Sequence, residues 1–580
     1  MRPIFIWKNH YRIVAWFILA FVSAGLFSCV EDKEDSTGLV TVRIIEDPDM
    51  ISPFFSKTHI SNQICSKIFL PLADFDPQTL ELKPVLIKEI PEKQIVDSLE
   101  KYRIRLIPGI TWADGTPMTV ADIITTVKML LNPFSEAASI RSTLENIVKI
   151  EPDTKDPLQF DVYFSGKYHI DLEAFLNLPI VPAKVFDSKS VHGKTPFVDW
   201  VSHPDSLASS PDSSVYRMAA EEFKATFISY KKLNGNGPYQ VKDWSQGQSI
   251  TLEKVKKWWG RKLDNPFLEA YPQTIKYVIL PDERSAISAL QNGQIDILPD
   301  ISASKIAEIS KLPFIRDSFT IGCPALLQYF YIALNNSSKI LSDIYVRKAL
   351  AHLVDKPGII DALMQGKASR IDGPILPVKP YFDKKIPAIK FDPAESNRLL
   401  DSSGWVLSPG AKVRTKVIDG SVRKLKLDYY TTGTPLGRDL ATLIRNEALK
   451  AGIDINIVTL EFSEILKKVK TGDYDMANMV SRQFPGLDDP YLSWHSENAF
   501  GKGTNVSNVT DPIVDSLVVE IRQAPGSKER NADYVAFQQR IHELQPVIFL
   551  FAPQNCIIVR STLDPTFSVK RPGYFENEMK

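Results

Sequence analysis

The chain has 580 residues and sets 69 Lys and Arg against 69 Asp and Glu, with 44% apolar and 10% aromatic residues. Without a basic excess there is no footprint to displace counterions from a nucleic acid, and this much apolar content excludes a disordered chain. At roughly 150 residues per domain, the length predicts three or four units.

Arg2, Lys8 and Arg12 give a positive start with no acidic residue before Glu31. The stretch Ile13 to Phe27 is apolar apart from Ser23 and Gly25. It is shorter than the roughly 20 residues of a membrane span and fits the apolar region of a signal peptide over residues 1–28. It ends Leu26-Phe27-Ser28-Cys29, which resembles a bacterial lipobox with a bulky Phe27. That resemblance implies lipidation of Cys29 and a charged tether over 29–38. The protein would then be anchored to a membrane, not spanning it, and would face the periplasm or the cell exterior. Without the leader's three basic groups, the 69 become 66 against an unchanged 69 acidic groups. The remaining cysteines, Cys65, Cys323 and Cys556, form no C-x-x-C pair, so no disulfide framework is indicated. The apolar surroundings of Cys323 and Cys556 mark them as small buried hydrophobes.

Tyr102, Ile104 and Leu106 alternate with arginines, a half-buried strand. Asp114-Gly115 is a turn. Thr119 with Asp122 has the capping-box spacing, and Val120, Ile123, Ile124, Val127, Leu130 and Leu131 form the stripe of the helix that follows. The polar stretch 185–233 looks like an insertion holding one amphipathic helix, with Val215, Ala219, Phe223, Phe227 and Tyr230 on one face. Gly235-Asn236-Gly237-Pro238 opens a hairpin over Tyr239 to Leu252. A strand at Ile275 to Ile279, a short helix from Asp282 and extended chain at Ile295 follow. Asp392-Pro393-Ala394-Glu395 combines an N-cap, a first-position Pro and an acidic third residue. Leu425 to Tyr429, a helix ending at Gly452, and Ile453 to Ile457 form a βαβ unit with parallel strands.

Enzymatic motifs are missing. There is no H-E-x-x-H, no G-x-S-x-G elbow and no Walker A loop, so the sequence supplies no catalytic residue, metal ligand or cofactor. An extracytoplasmic hydrolase has only export in its favour.

Several blocks in order resemble the family 5 extracellular solute-binding proteins, the dipeptide-, oligopeptide- and nickel-binding proteins of ABC importers. They are Trp112-Ala113-Asp114-Gly115-Thr116-Pro117 with Thr119 and Asp122; Asn236-Gly237-Pro238-Tyr239 with Trp244 and Leu252-Glu253-Lys254; Ala289-Leu290 with Gly293-Gln294-Ile295-Asp296; Val346-Arg347-Lys348-Ala349-Leu350; and Gly472-Asp473-Tyr474-Asp475. The resemblance implies an α/β fold, a two-lobed periplasmic-binding-protein clamp of class II type with mixed sheets, an additional subdomain and a hinged ligand cleft. It places lobe I at 39–78, 172–322 and 546–580, the appended subdomain at 79–171 and lobe II at 323–545. It also implies an ABC permease as partner and a small peptide or other compact polar solute as ligand. A monomer is expected.

Peptide-binding members carry an Asp four residues before the Pro of an Asp/Glu-Pro pair, and it holds the peptide α-ammonium. Here the pair is Asp489-Pro490 and the position is Gly486, with Gln483 where a Trp is frequent. Loss of that carboxylate removes a charge-assisted hydrogen bond of roughly 1.5–3 kcal/mol. Asp488 is the alternative carboxylate, Arg482 could favour a carboxylate or phosphate, and Phe484 and Trp494 could stack on ligand. Asn62, beside His59 and Gln63, lies where the family contributes a cleft loop. A second reading puts a ligand sensor, chaperone-like binder or partner-docking protein on the same fold, with the insertion as its contact surface.

Overall fold

The computed structural model describes residues 38–580 apart from Lys167 and His203. The expected leader, Cys29 and nearly all of the tether lie outside the described residues.

Two large sheets organise the chain. The first has seven strands in the order Phe319–Gly322, Cys556–Arg560, Ile297–Ile301, Leu39–Ile44, Thr274–Ile279, Ser249–Lys254 and Tyr239–Ser245. Its centre is parallel: Leu39–Ile44 lies between Thr274–Ile279 and Ile297–Ile301. Val40, Val42 and Ile44 are buried on one face and Thr41 and Arg43 on the other, as expected of a central strand covered on both faces. A four-stranded antiparallel sheet, Lys93–Val96, Leu99–Arg105, Gln159–Phe164 and Ile147–Pro152, shares one continuous apolar core with the first sheet. The expected alternation at Tyr102 and Ile104 supplies its inner face.

The second large sheet has six strands: Ala368–Arg370, Val547–Pro553, Gln328–Leu334, Met476–Arg482, Lys426–Thr431 and Asp454–Thr459. The βαβ unit falls at one edge, with helix Pro435–Lys450 between the parallel strands Lys426–Thr431 and Asp454–Thr459. Gly452 ends that unit's helix at φ +82, a left-handed conformation that glycine adopts freely.

Local signals position the remaining elements. The Asp122 carboxylate accepts from the Thr119 N–H at 2.8 Å, and its second oxygen accepts from the Ala183 N–H at 2.9 Å. The capping box therefore also fixes where the insertion begins. Asp392 accepts from the Glu395 N–H and starts helix Pro393–Ser402. Gly235 and Gly237 are required by close approach: a Cβ would stand 1.9 Å from the Ile68 carbonyl oxygen and 2.3 Å from that of Lys67. Between them Asn236 accepts from the Leu70 N–H, and its own carbonyl receives both indole N–H groups of Trp258 and Trp259.

Three expectations change. The insertion holds several short helices besides Ser213–Thr226, and the apolar face of that helix begins at Ala219, because Val215 is exposed. The chain does not rejoin the first sheet at 546: Val547–Pro553 pairs with Gln328–Leu334 in the second sheet, and only Cys556–Arg560 returns to the first. Cys323 and Cys556 are not separate hydrophobes but a disulfide with S–S 2.00 Å and Cα atoms 4.1 Å apart. Strand pairing explains it. Gly322 opposes Ile557 in the ladder, so the next residue, Cys323, is carried to Cys556 across 233 positions of sequence. The bond closes the neck through which the chain enters and leaves the second lobe. Cys65 is a buried free thiol whose ionisation burial suppresses. Among the described residues no helix is long and apolar enough to cross a membrane.

Candidate functional site between the lobes

Residues 483–490 leave the end of strand Met476–Arg482 and run along the boundary between the lobes. Their shape is set from inside the second lobe. The Gln483 side chain accepts from the Leu376 N–H at 3.1 Å and donates to the Pro374 carbonyl at 3.0 Å, so its amide braces the loop. The buried Lys379 ammonium donates to the carbonyls of Phe484, Pro485 and Gly486 and stands 3.4 Å from the Asp488 carboxylate. Asp488 also accepts from the Tyr381 hydroxyl at 2.7 Å. Burial lowers the Lys379 pKa and raises that of Asp488, and each group partly offsets the other's shift. The alternative carboxylate is therefore engaged within its own lobe.

Gly486 faces the other lobe. A Cβ there would lie 2.4 Å from Glu173 Oε2 and 2.6 Å from Phe75 Cζ. Glu173, on helix Asp171–Leu176, accepts from the Leu487 N–H at 3.1 Å. Desolvation raises its pKa, while Arg530 and Lys379 pull it back. The place of the missing side chain is thus filled by a carboxylate and an aromatic ring from across the boundary. Next along the loop, Asp489 accepts from the Tyr168 hydroxyl at 2.7 Å and from Arg522 Nε at 3.0 Å. The Arg522 carbonyl accepts from the His169 N–H. Beside this contact Asp171 is buried, with Oδ1 accepting from Asn146 and Oδ2 unpartnered. Desolvation pushes its pKa up to about 7. Burial drives His169 the other way, to about 3.

Near the neck, Arg482 opposes Gln328 across the antiparallel ladder. Arg571, from the C-terminal segment packed on the first lobe, donates to Gln328 Oε1 at 3.1 Å. His59, at the start of helix His59–Ile68, stands 3.7 Å from Asp300. Asn62 is exposed on that helix, whereas Gln63 is buried and donates to Tyr574 and Glu576. Phe484 is 77% exposed. Trp494 is buried and packs against Phe537 and Phe549 in the second lobe's core.

The structure thus brings Arg482, Gln483, Gly486 and Asp488 to one boundary and places Trp494 in a core. Sequence reasoning did not single out Glu173, Tyr168, Lys379, Gln328 or Arg571. None carries a local signature, because each acquires its place from a partner more than 100 positions away.

Two α/β lobes joined at a narrow neck, with a loop of one pressed against a helix of the other, define a clamp-type binding protein. The protein-family comparison matches residues 81–502 to "Bacterial extracellular solute-binding proteins, family 5 Middle". The oligopeptide-binding protein AppA of Bacillus subtilis is 23% identical over 539 residues, covering 92% of this chain and 89% of AppA. The solved structure of AppA with a nonapeptide superposes with a TM-score of 0.67 at 22% identity, over 93% of this chain and 98% of that one. NikA from Brucella suis in complex with Fe(III)-EDTA gives 0.74 at 18% identity, over 93% and 99%. The chain belongs to the family 5 bacterial extracellular solute-binding proteins.

Proposed function

We propose that this protein is the lipid-anchored solute receptor of an ABC importer. It captures a small peptide or another compact polar solute between its lobes and delivers it to the permease. The observation that carries this reading is the neck: two crossings, at 323–327 and 554–555, join lobes that otherwise meet through side chains such as Tyr168, Glu173 and Asp489. Such contacts can break and re-form, and a ligand touching both lobes stabilises the closed state. Enclosure strengthens the few polar contacts that remain.

The division we propose follows the sheets: 39–78, 172–323 and the chain from Cys556 as lobe I, with 79–171 appended, and 324–555 as lobe II. The disulfide supports an oxidising, extracytoplasmic location. Anchoring through Cys29 is tested by Cys29→Ser, which should release the protein from the membrane fraction. Capture is tested by thermal stabilisation of the mature protein, since binding the native state adds stability by mass action. Peptide and non-peptide libraries at millimolar concentration should yield at least one stabilising compound. A library-wide absence of any shift sinks the reading.

A further inference from the structure

The neck end of the cleft carries a charge arrangement that the fold does not need. Arg482 ends strand Met476–Arg482, and its cross-strand partner is Gln328. Directly opposed residues of an antiparallel pair project on the same face with Cβ atoms roughly 5 Å apart. Arg571 reaches the same Gln328 from the other lobe, Nη2 to Oε1 3.1 Å. Arg571 thus holds the Gln328 amide from one lobe, while Arg482 stands beside Gln328 on the neighbouring strand of the other, near enough for its charge to act on Arg571. Among the described residues neither arginine lies within 4.0 Å of a carboxylate, whereas Arg370, Arg414, Arg522, Arg540 and Arg560 each have one.

The nearby acids are occupied. Asp488 is held by Lys379 and Tyr381, Asp489 by Arg522 and Tyr168, and Glu173 by the Leu487 N–H. Asp300 is the remaining acid of this end and stands with His59. The environment of Arg571 disfavours its charge, first through desolvation and then through Arg482, with Asp300 opposing. Closing the lobes thus brings like charges together, with Asp300, shared with His59, as the opposing anion and no carboxylate in direct contact with either guanidinium among the described residues.

We propose that Arg482 and Arg571, standing at Gln328 from opposite lobes, form an oxyanion seat, so that the captured solute presents a carboxylate or a comparable oxyanion to this end of the cleft. This rests on the solute-receptor reading and specifies its substrate class. A planar guanidinium pairs with a carboxylate through two parallel hydrogen bonds. An anion seated between the two converts their repulsion into attraction only when the lobes are closed, which is the differential interaction a clamp requires.

The test uses mature protein and four probes: trialanine, trialanine amide, succinate and inorganic phosphate, each followed by thermal shift and calorimetry. At least one of trialanine, succinate and phosphate should bind. Trialanine binding identifies a peptide carboxylate as the source, and succinate or phosphate binding a free oxyanion. Trialanine amide should bind at least tenfold more weakly than trialanine. R482A and R571A should each abolish binding while leaving the fold intact by far-ultraviolet circular dichroism, since neither arginine holds an ion pair and Arg571 gives up one hydrogen bond, to Gln328. Gln328→Glu, which supplies a carboxylate in place, should also block binding. Equal binding of acid and amide, or binding that survives R482A and R571A together, overturns the seat. Binding of the amide alone refutes the seat and leaves the receptor reading intact. Failure of all three oxyanion probes also overturns the seat, and the library screen then decides the receptor reading separately.

Discussion

The two lobes solve the same problem with different chain economies. The first gathers its central sheet from segments near residues 40, 240, 250, 275, 297, 320 and 557; its main apolar core runs on into the appended four-stranded sheet, and a smaller cluster around Ile306 and Ile558 packs beside it. The second uses a single stretch, 324–555, and divides its interior among three smaller clusters. Each lobe is tied by a buried arginine. Arg43 donates to the carbonyls of Leu280, Pro281, Pro299 and Asp300, all more than 230 positions away. Arg347 donates to Leu341 and Ser342 close by and to Leu544 and Gln545 at the far end of its lobe. Desolvation lowers the pKa of both, and backbone carbonyls take the place of an ion pair. The difference teaches that the second lobe is a nearly autonomous insertion whose chain ends are clamped by the Cys323–Cys556 bond, whereas the first exists only once distant segments have met.

The largest expected effect tests that autonomy. Replacing both cysteines by Ser opens a loop of 233 residues, and chain entropy sets a ceiling of about 5 kcal/mol on the loss. Chemical denaturation should show the second lobe unfolding earlier. Unchanged, coincident transitions would show that the neck needs no covalent clamp.

Lys379→Met comes next. It leaves Asp488 buried without its cation and three loop carbonyls without their donor. The cost should be about 3–5 kcal/mol, as when one partner of a buried pair is removed. Adding Asp488→Asn should recover part of it. If the double variant is no better than the single one, the ion pair is not the cause.

Asp171 gives a pH signature at the boundary. Its folded pKa of about 7 exceeds the ordinary 3.8, through desolvation first, with Glu100 and Glu145 also raising it and Asn146 and Arg522 lowering it. The folded state therefore holds a proton that the unfolded state has released. The favourable contribution is complete below about pH 4 and is lost as pH rises through about 7. Asp171→Asn should gain roughly 2–4 kcal/mol relative to wild type between pH 4 and pH 8. A pH-independent difference would remove Asp171 as the titrating group.

Gly486→Ala should act on the relation between lobes and not on either lobe alone. Its Cβ must displace Glu173 or Phe75, an overpacking cost of about 1–3 kcal/mol levied only when the lobes meet. Small-angle scattering should show a more extended molecule with an unchanged far-ultraviolet spectrum. Tyr168→Phe is the mildest. Loss of one hydrogen bond to Asp489 should cost about 1 kcal/mol, detectable as faster hydrogen exchange at the His169 amide.

The sequence by itself determined the pieces whose causes are local. The Thr119–Asp122 box, the Asp392-Pro393 start, the Tyr239 hairpin and the βαβ unit around helix Pro435–Lys450 stand where periodicity and capping put them. It also determined the family, because the ordered blocks at Trp112, Asn236, Ala289 and Val346 are contiguous in the chain. Only the tertiary structure decided that Cys323 meets Cys556, that Val547–Pro553 stays with the second sheet, that Glu173 and Phe75 fill the space beside Gly486, and that Arg571 joins Arg482 at Gln328. Each of these joins segments distant in the chain, by more than 200 positions in every case except the approach of Arg482 to Gln328 and Arg571. Neither the 3.6-residue nor the 2-residue period carries information over that distance. What brings such residues together is the burial of separate apolar faces against one another, and a single sequence does not state which faces pair.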